Sequence, residues 1–139
     1  MKYLFKITTT LHTFLYRLTG GRIGSQMRGF KVLLLTTTGR KSGKQRTTPL
    51  GYFEAEGGYV IITSNGGLPQ NPAWYYNIKS NPQVNIQVKD RRLTVNGEVA
   101  DPATRARLWQ QLMREAPAYG DYEKSTDRVI PLVILRPSA

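Results

Sequence analysis

Three strand-type runs between residues 30 and 64 constrain the fold more than any other feature of this sequence. The first run, Phe30 to Thr38, is apolar and rich in β-branched residues. Strand-type residues resume from Arg46 to Ala55 and again from Tyr59 to Ser64, with only short glycine-containing turns between the runs. Because parallel strands need a long crossover connection, turns this short predict antiparallel pairing.

The rest of the chain does not alternate regularly between strand and helix. Asn71 is the predicted cap of a helix with Pro72 at its first position, and Asp101-Pro102 repeats this pattern. Pro131 in the last strand predicts an edge position or a bulge. The further elements are predicted as a helix at 72–80, strands at 83–88 and 92–100, a helix from 102 to about 114, a short piece at 118–124 and a strand at 129–135. Six strands in this order favour a mainly antiparallel sheet or small barrel with attached helices.

Residues 2–18 carry leucine, isoleucine and phenylalanine at spacings of three and four, which predicts an amphipathic helix. Gly20 and Gly21 end it, and a basic link follows to residue 29. Two interpretations remain open: the helix packs on the core, or its apolar face lies on a membrane surface or gates a pocket. Residues 1–29 are therefore treated as an N-terminal helix and link, and residues 30–139 as the main body of one globular domain.

The composition excludes several kinds of chemistry. The chain has no cysteine and a single histidine, His12. Thiolate zinc sites, iron–sulfur clusters and cysteine nucleophiles are thus excluded, and neither a metal site nor a Ser-His-Asp triad is expected. If the protein is an enzyme, a cofactor is expected to carry the reaction.

Positive charge is concentrated in the first part of the chain. Residues 1–53 hold ten Lys/Arg and no acid, whereas residues 54–139 hold ten Lys/Arg and all nine acids. The glycine-bordered turn after the first strand contains Arg40, Lys41, Lys44 and Arg46, and such a turn can bind a polyanion. A nucleic acid, an anionic membrane surface and a multiply charged small molecule all remain open as partners. No apolar run is long enough to span a bilayer and no secretory signal is expected, which predicts a cytoplasmic protein.

Four segments in one order carry a resemblance to a known family: residues 33–49, the Ser64-Asn65-Gly66-Gly67 turn, residues 71–77, and residues 119–131. Together they resemble the deazaflavin-dependent nitroreductases. The resemblance implies an α+β split β-barrel of the FMN-binding type, mainly antiparallel, with an N-terminal helix and two to three further helices. It also implies binding of coenzyme F420, a deazaflavin with a phosphate and a polyglutamate tail. The implied enzyme transfers a hydride from F420H2 to a quinone, a nitroaromatic or an activated enone.

The resemblance also implies a set of site residues. Ser64 would hydrogen-bond near the reacting ring, and Tyr119 or Tyr122 would donate a hydrogen bond or proton to the acceptor. The anionic chain of the cofactor would lie against Arg40, Lys41, Ser42 and Arg46. The other implied cofactor contacts are Thr47, Pro49, Leu50, Ile62, Thr63, Ser64, Asn65, Asn71, Ala73, Trp74, Tyr75 and Asn77.

Other functions remain open beside this one. A flavin enzyme of the same fold, using FMN or FAD, or a haem-degrading relative would keep the barrel, although Thr47-Thr48 and the basic turn suit the deazaflavin group better. A nucleic-acid-binding module is favoured by net charge and by aromatic residues such as Trp74 and Tyr76. Against it, the aromatic residues do not interleave with the basic ones. The sequence leaves a monomer and a homodimer open as alternatives, and peripheral contact with an anionic membrane is a further alternative.

Overall fold

The elements follow the sequence pattern along most of the chain. The computed structural model describes residues 13, 16, 17, 26–27, 30–64 and 69–138, with residues 26, 27 and 30 described by their backbone. The strands are β1 (Gln26–Met27), β2 (Phe30–Thr38), β3 (Gln45–Ala55), β4 (Gly58–Ile62), β5 (Gln83–Val88), β6 (Arg91–Val99) and β7 (Leu132–Pro137). The helices are α1 (Ala73–Ser80), α2 (Pro102–Glu115) and α3 (Tyr119–Lys124).

Six of the strands close into an antiparallel barrel. The order in the sheet is β1-β2-β3-β4-β7-β6-β5, and a further pairing of β2 with β5 joins the ends of the six-stranded ring. The β3–β4 hairpin turns through Glu56 and Gly57, whose φ angles of 58° and 73° suit a tight hairpin turn. The predicted antiparallel barrel is confirmed, and β1 is a short strand that sequence reasoning missed.

Residues that alternate along the strands form two cores. Side chains facing the barrel interior, such as Leu33, Leu35 and Tyr52, pack with Trp74 and Tyr75 of α1. The outer faces of β3, β4 and β7 contribute Phe53, Ile62 and other apolar residues that pack against α2 and α3. Helix α1 therefore lies on the first core, whereas α2 and α3 cover a separate outer face.

Two local predictions are wrong. Strand β7 lies between β4 and β6, so it is neither an edge strand nor bulged at Pro131, which precedes its first residue. Asn71 does not cap α1: Pro72 occupies the cap position without a side-chain cap hydrogen bond, and the Asn71 amide oxygen accepts a hydrogen bond from Arg128. Asp101 is the cap of α2 as predicted, accepting from the Thr104 amide at 2.8 Å.

The N-terminal segment contacts the barrel through Tyr16. Its side chain is fully buried, and its hydroxyl donates to the Gln87 carbonyl at 3.2 Å and accepts from the Lys89 amide at 2.6 Å. Thr13, Tyr16 and Arg17 are helical, but most of the helix predicted at 2–18, together with His12, lies outside the described residues. Within those residues, no helix is both long enough and apolar enough to cross a membrane.

Candidate active site

The β2–β3 turn presents exposed cations that have no acidic partner within the described part of the chain. The turn is closed by hydrogen bonds from the Gly39 amide to the Lys44 carbonyl at 2.8 Å and from the Gly43 amide to the Gly39 carbonyl at 2.9 Å. The Ser42 hydroxyl accepts from the Lys44 amide at 3.2 Å. Among the described residues, the ion pairs formed involve Arg105, Arg107 and Arg136, so none of the turn's Lys and Arg side chains is paired with an acid there.

Asn77 fixes this turn against α1. Its amide oxygen accepts from the Arg40 backbone amide at 3.1 Å, and its amide nitrogen donates to the Thr37 hydroxyl at 3.2 Å. The Arg40 guanidinium lies 5.2 Å from the centre of the Tyr76 ring. Both ends of the buried Asn77 amide are thus used within the protein, and the arrangement places the Arg40 side chain beside the helix.

The outer face of β3 continues from the basic turn. Thr47, Pro49 and Gly51 alternate with residues that face the interior, such as Leu50, and all are half-buried. The Thr47 hydroxyl lies 2.8 Å from the Thr36 hydroxyl and accepts from the Arg17 guanidinium at 2.7 Å. The N-terminal segment therefore supplies a cation to the same end of the strand face.

Tyr119 closes the opposite end of this face. A Cβ placed on Gly51 would overlap the Tyr119 hydroxyl, so glycine is what lets α3 set this side chain against β3. Burial, together with the nearby Tyr122, raises the pKa of Tyr119 to about 12, which keeps the phenol protonated at neutral pH. The rings of Tyr119 and Tyr122 lie 5.7 Å apart.

Arg128 joins three segments that contain predicted site residues. Its guanidinium donates to the Asn71 amide oxygen at 2.7 Å, to the Thr63 carbonyl at 2.8 Å and to the Ser64 carbonyl at 3.0 Å. The Thr63 hydroxyl in turn donates to the Pro131 carbonyl at 2.9 Å. The end of β4, the approach to α1 and the loop before β7 are thereby held together.

The predicted set therefore falls into separate environments. Arg40, Lys41, Ser42 and Arg46 are exposed on or beside the turn, and Ala73 is exposed at the start of α1. Trp74 and Tyr75 are almost fully buried in the interior core, Ile62 belongs to the outer core, and Thr63 is fully buried. Ser64 and Tyr122 are half-buried, and Asn65 lies outside the described residues.

Sequence reasoning missed Arg17, Thr36, Gly51 and Arg128 as parts of this arrangement. Arg128 lay inside a segment that carried the family resemblance, but nothing in its neighbours indicates three acceptors distant in sequence. Arg17 lies within the helix predicted at 2–18, and its contact with Thr47 depends on where Tyr16 docks.

A groove of about 510 Å³ adjoins the Thr47 end of the face. Arg17, Thr36, Asn85 and Arg92 are among the residues that line it, between β2, β5 and β6, and no predicted site residue belongs to its lining. Leu34, Ile86 and Leu93 also line it, so its walls are mixed in polarity. Over the described part of the chain, no cluster of three or more histidines and acids could hold a metal ion.

Three comparisons agree on the kind of protein that this chain resembles. A family profile described as F420H(2)-dependent quinone reductase matches residues 8–137. An F420H(2)-dependent quinone reductase of Mycobacterium tuberculosis is 43% identical over 129 residues, which cover 90% of this chain and 87% of that protein.

Two solved structures are similar over most of their length. One, described as a domain-swapped dimer, is 35% identical with a TM-score of 0.71 and covers 91% of this chain and 94% of its own. The other, an F420-H2-dependent reductase, is 38% identical with a TM-score of 0.68 and covers 78% of this chain and 95% of its own.

Proposed function

Because the chain belongs to the F420H(2)-dependent quinone reductase family, we propose that it is an oxidoreductase that transfers a hydride from reduced F420 to a quinone. The observation that carries this proposal is the group of cations on the β2–β3 turn, unpaired among the described residues, beside a half-exposed strand face. A ligand with a phosphate and several carboxylates matches that donor set, because charge-assisted hydrogen bonds to such groups are strong.

The residues present fit the cofactor in two groups, one for its anionic tail and one for its ring. Arg40, Lys41, Ser42 and Arg46 would hold the anionic tail, and Thr47 and Pro49 would face the start of the ring system. Ser64, beside Arg128, would lie at the ring's edge together with Asn71. The buried residues Trp74 and Tyr75 would support this edge from the interior core.

The bound cofactor supplies the hydride, so the protein needs only to bind, orient and protonate. A tyrosine with an ordinary pKa of about 10 is already protonated at physiological pH, and burial raises the pKa of Tyr119 further, to about 12. It can therefore donate a hydrogen bond to an acceptor oxygen that gains negative charge. Tyr122, whose ring is next to it and half-buried, would close the acceptor side against water.

The finer assignments are proposals of the same kind. Nitroaromatics and activated enones would be reduced in the same position as quinones, because each places charge on an oxygen near Tyr119. A cytoplasmic location and a monomer or homodimer are expected, and the relative described as a domain-swapped dimer favours testing the dimer first. Peripheral contact with anionic lipid would use the acid-free first 53 residues.

The experiment is a fluorescence titration of the purified protein with oxidised F420 and, separately, with FMN. Tight F420 binding with weak FMN binding is expected, followed by turnover of F420H2 with a soluble quinone. Tighter binding of FMN than of F420 would leave the fold assignment unchanged and identify the protein as a flavin enzyme. Binding of neither, together with a defined complex with single-stranded nucleic acid at physiological salt, would overturn the proposal in favour of a binding module.

A further inference from the structure

We propose that Arg128 is the positioning residue of the cofactor site: its guanidinium sets the Ser64 edge and the approach to α1 in one fixed arrangement. This inference rests on the proposed function for its ligand, but its geometry stands on three hydrogen bonds within the chain. Arg128 does not need to touch the cofactor or the acceptor to act in this way.

The hydrogen bonds of Arg128 have a geometry that lysine cannot reproduce. One terminal nitrogen donates to the Asn71 side chain, and the other donates to two successive carbonyls, Thr63 and Ser64. A planar guanidinium can hold acceptors in several directions at once, whereas an ammonium is a compact point charge. The guanidinium therefore holds Ser64 and Asn71 at fixed positions relative to each other.

The loop that carries Arg128 is fixed independently of these contacts. Thr63 donates from its amide at 3.2 Å and its hydroxyl at 2.9 Å to the Pro131 carbonyl. Arg105 of α2 donates to the Ile130 carbonyl at 2.8 Å and lies 4.6 Å from the centre of the Trp109 ring. Because Ile130 is fully buried, the loop retains its main anchors when the Arg128 side chain is replaced.

The loop also starts from the acceptor side of the site. It follows α3, which carries Tyr119 and Tyr122, and ends at β7, next to β4. Arg128 therefore ties the position of Ser64 to the same structural unit as the two tyrosines. Loss of this tie would let the ring edge shift relative to the acceptor side while leaving the basic turn unchanged.

The distinguishing expectation concerns which part of the cofactor is bound less tightly. Replacement of Arg128 acts at the ring edge, so it should weaken F420 and a deazaflavin lacking the phosphate and glutamates by the same factor. Replacement of Arg40 acts on the tail, so it should weaken F420 alone. A general loss of stability would not produce this contrast.

The test compares Arg128→Lys and Arg128→Gln with the matched control Arg105→Lys, which alters the other guanidinium anchored to this loop. Dissociation constants for F420 and for the tail-less deazaflavin are measured with the thermal midpoint of each variant. Both Arg128 variants should bind each ligand about tenfold more weakly, equivalent to about 1.4 kcal/mol, because the ring edge is no longer held in its binding arrangement, while Arg105→Lys stays within twofold. Binding within twofold of wild type in both Arg128 variants, or an equal loss in Arg105→Lys, overturns the proposal.

Two further measurements test the positioning role of Arg128, namely a double variant with Asn71→Ala and NMR of the ligand-free protein. Asn71→Ala removes one acceptor, and combined with Arg128→Lys it should cost less than the product of the two single effects, because the pair shares one contact. If wild type binds no F420, the proposed function fails, and amide NMR shifts of the free protein decide the rest. If Arg128→Lys shifts the signals of residues 63–64 and of the Asn71 side-chain amide, the positioning role of Arg128 is supported. Unchanged signals at these groups overturn it.

Discussion

The two ends of the outer face of β3 differ in every property that matters for binding. At the Thr47 end, hydroxyls and the Arg17 guanidinium form a polar cluster beside the basic turn that is partly open to solvent. At the Gly51 end, Tyr119 is 7% exposed and its hydroxyl lies where a side chain on the strand would otherwise be. One strand thus offers an open, cationic end and a closed, aromatic end.

The two ends suit two different requirements of one ligand, which are binding of its anionic groups and exclusion of water from its reacting part. Flexible, exposed cations bind carboxylates and phosphate without being buried themselves, and so avoid the desolvation cost of interior charges. A closed aromatic end excludes water, where a hydrogen bond to a developing charge is stronger than in bulk solvent. Variants at each end should therefore have effects of different kinds as well as different sizes.

The largest effect is expected from filling the closed end with Gly51→Ala. The added methyl overlaps the Tyr119 hydroxyl, so α3 must move or the tyrosine must leave its rotamer. We expect a loss of about 2–3 kcal/mol in the free energy of unfolding and a quinone reductase kcat/KM lower by about a hundredfold, equivalent to about 2.7 kcal/mol. Urea denaturation and steady-state kinetics measure the two.

Gly120→Ala is the matched control for that change. It adds the same methyl on α3 next to Tyr119, where the Cβ would meet the Met113 sulfur at an ordinary 3.5 Å. Because alanine is the better helix former, stability should be unchanged or higher by up to about 1 kcal/mol. Equal losses in both variants would mean that crowding around α3 in general, and not the Gly51 approach, is what matters.

Gly51 and the strand pattern of β3 show which features can be predicted from the sequence and which cannot. Apolar and alternating runs and short turns predict the barrel strands mostly to within two residues, because each pattern acts over neighbouring positions, although β7 begins three residues later than predicted. The role of Gly51 depends on Tyr119, which is distant in sequence, so the glycine looks like an ordinary strand residue. The same holds for Arg128 and for Pro131, whose strand became internal only because β7 pairs on both sides.

The next effect is at the open end, with the double variant Arg40→Gln, Lys41→Gln. The Arg40 backbone contact to Asn77 is kept, so folding should be unaffected. F420 should bind about thirtyfold more weakly, or about 2 kcal/mol, and the salt dependence of binding should be shallower, since fewer ionic contacts are screened. Arg107 is an exposed cation that pairs with Glu56 away from the turn. Arg107→Gln should therefore leave the F420 affinity and its salt dependence unchanged. If the salt dependence is the same in all three proteins, the tail does not lie on this turn.

A smaller effect is expected from Tyr119→Phe, which keeps the closed end packed and removes the donor. The rate constant kcat with quinone and nitro acceptors should fall about tenfold. Unchanged turnover in this variant and in Tyr122→Phe would remove the proposed catalytic role of both residues.

The same variant also tests the cause of the high pKa. The pKa of Tyr119 rises from 10.0 to about 12 on folding, so the stabilising contribution is complete below pH 10 and is lost as the pH rises towards 12. Tyr119→Phe should reduce the alkaline loss of stability by about 1–2 kcal/mol. Burial also raises the pKa of Tyr52 to about 12, so Tyr52 provides the comparison. Tyr52→Phe should reduce the loss of stability at alkaline pH without changing kcat.

The smallest expected effect is that of Thr47→Val, which removes one hydroxyl from the open end and keeps the shape of the strand. The Arg17 guanidinium loses its acceptor at 2.7 Å, and the Thr36 hydroxyl loses its partner at 2.8 Å. Because both groups are partly solvated, water replaces the contact, and F420 should bind only about threefold more weakly, under 1 kcal/mol. Thr94→Val, on the far wall of the adjoining groove, is the control and should have no effect. A loss as large as that of the Arg40, Lys41 double variant would show that the hydroxyl pair, rather than the charge of the turn, determines binding at this end.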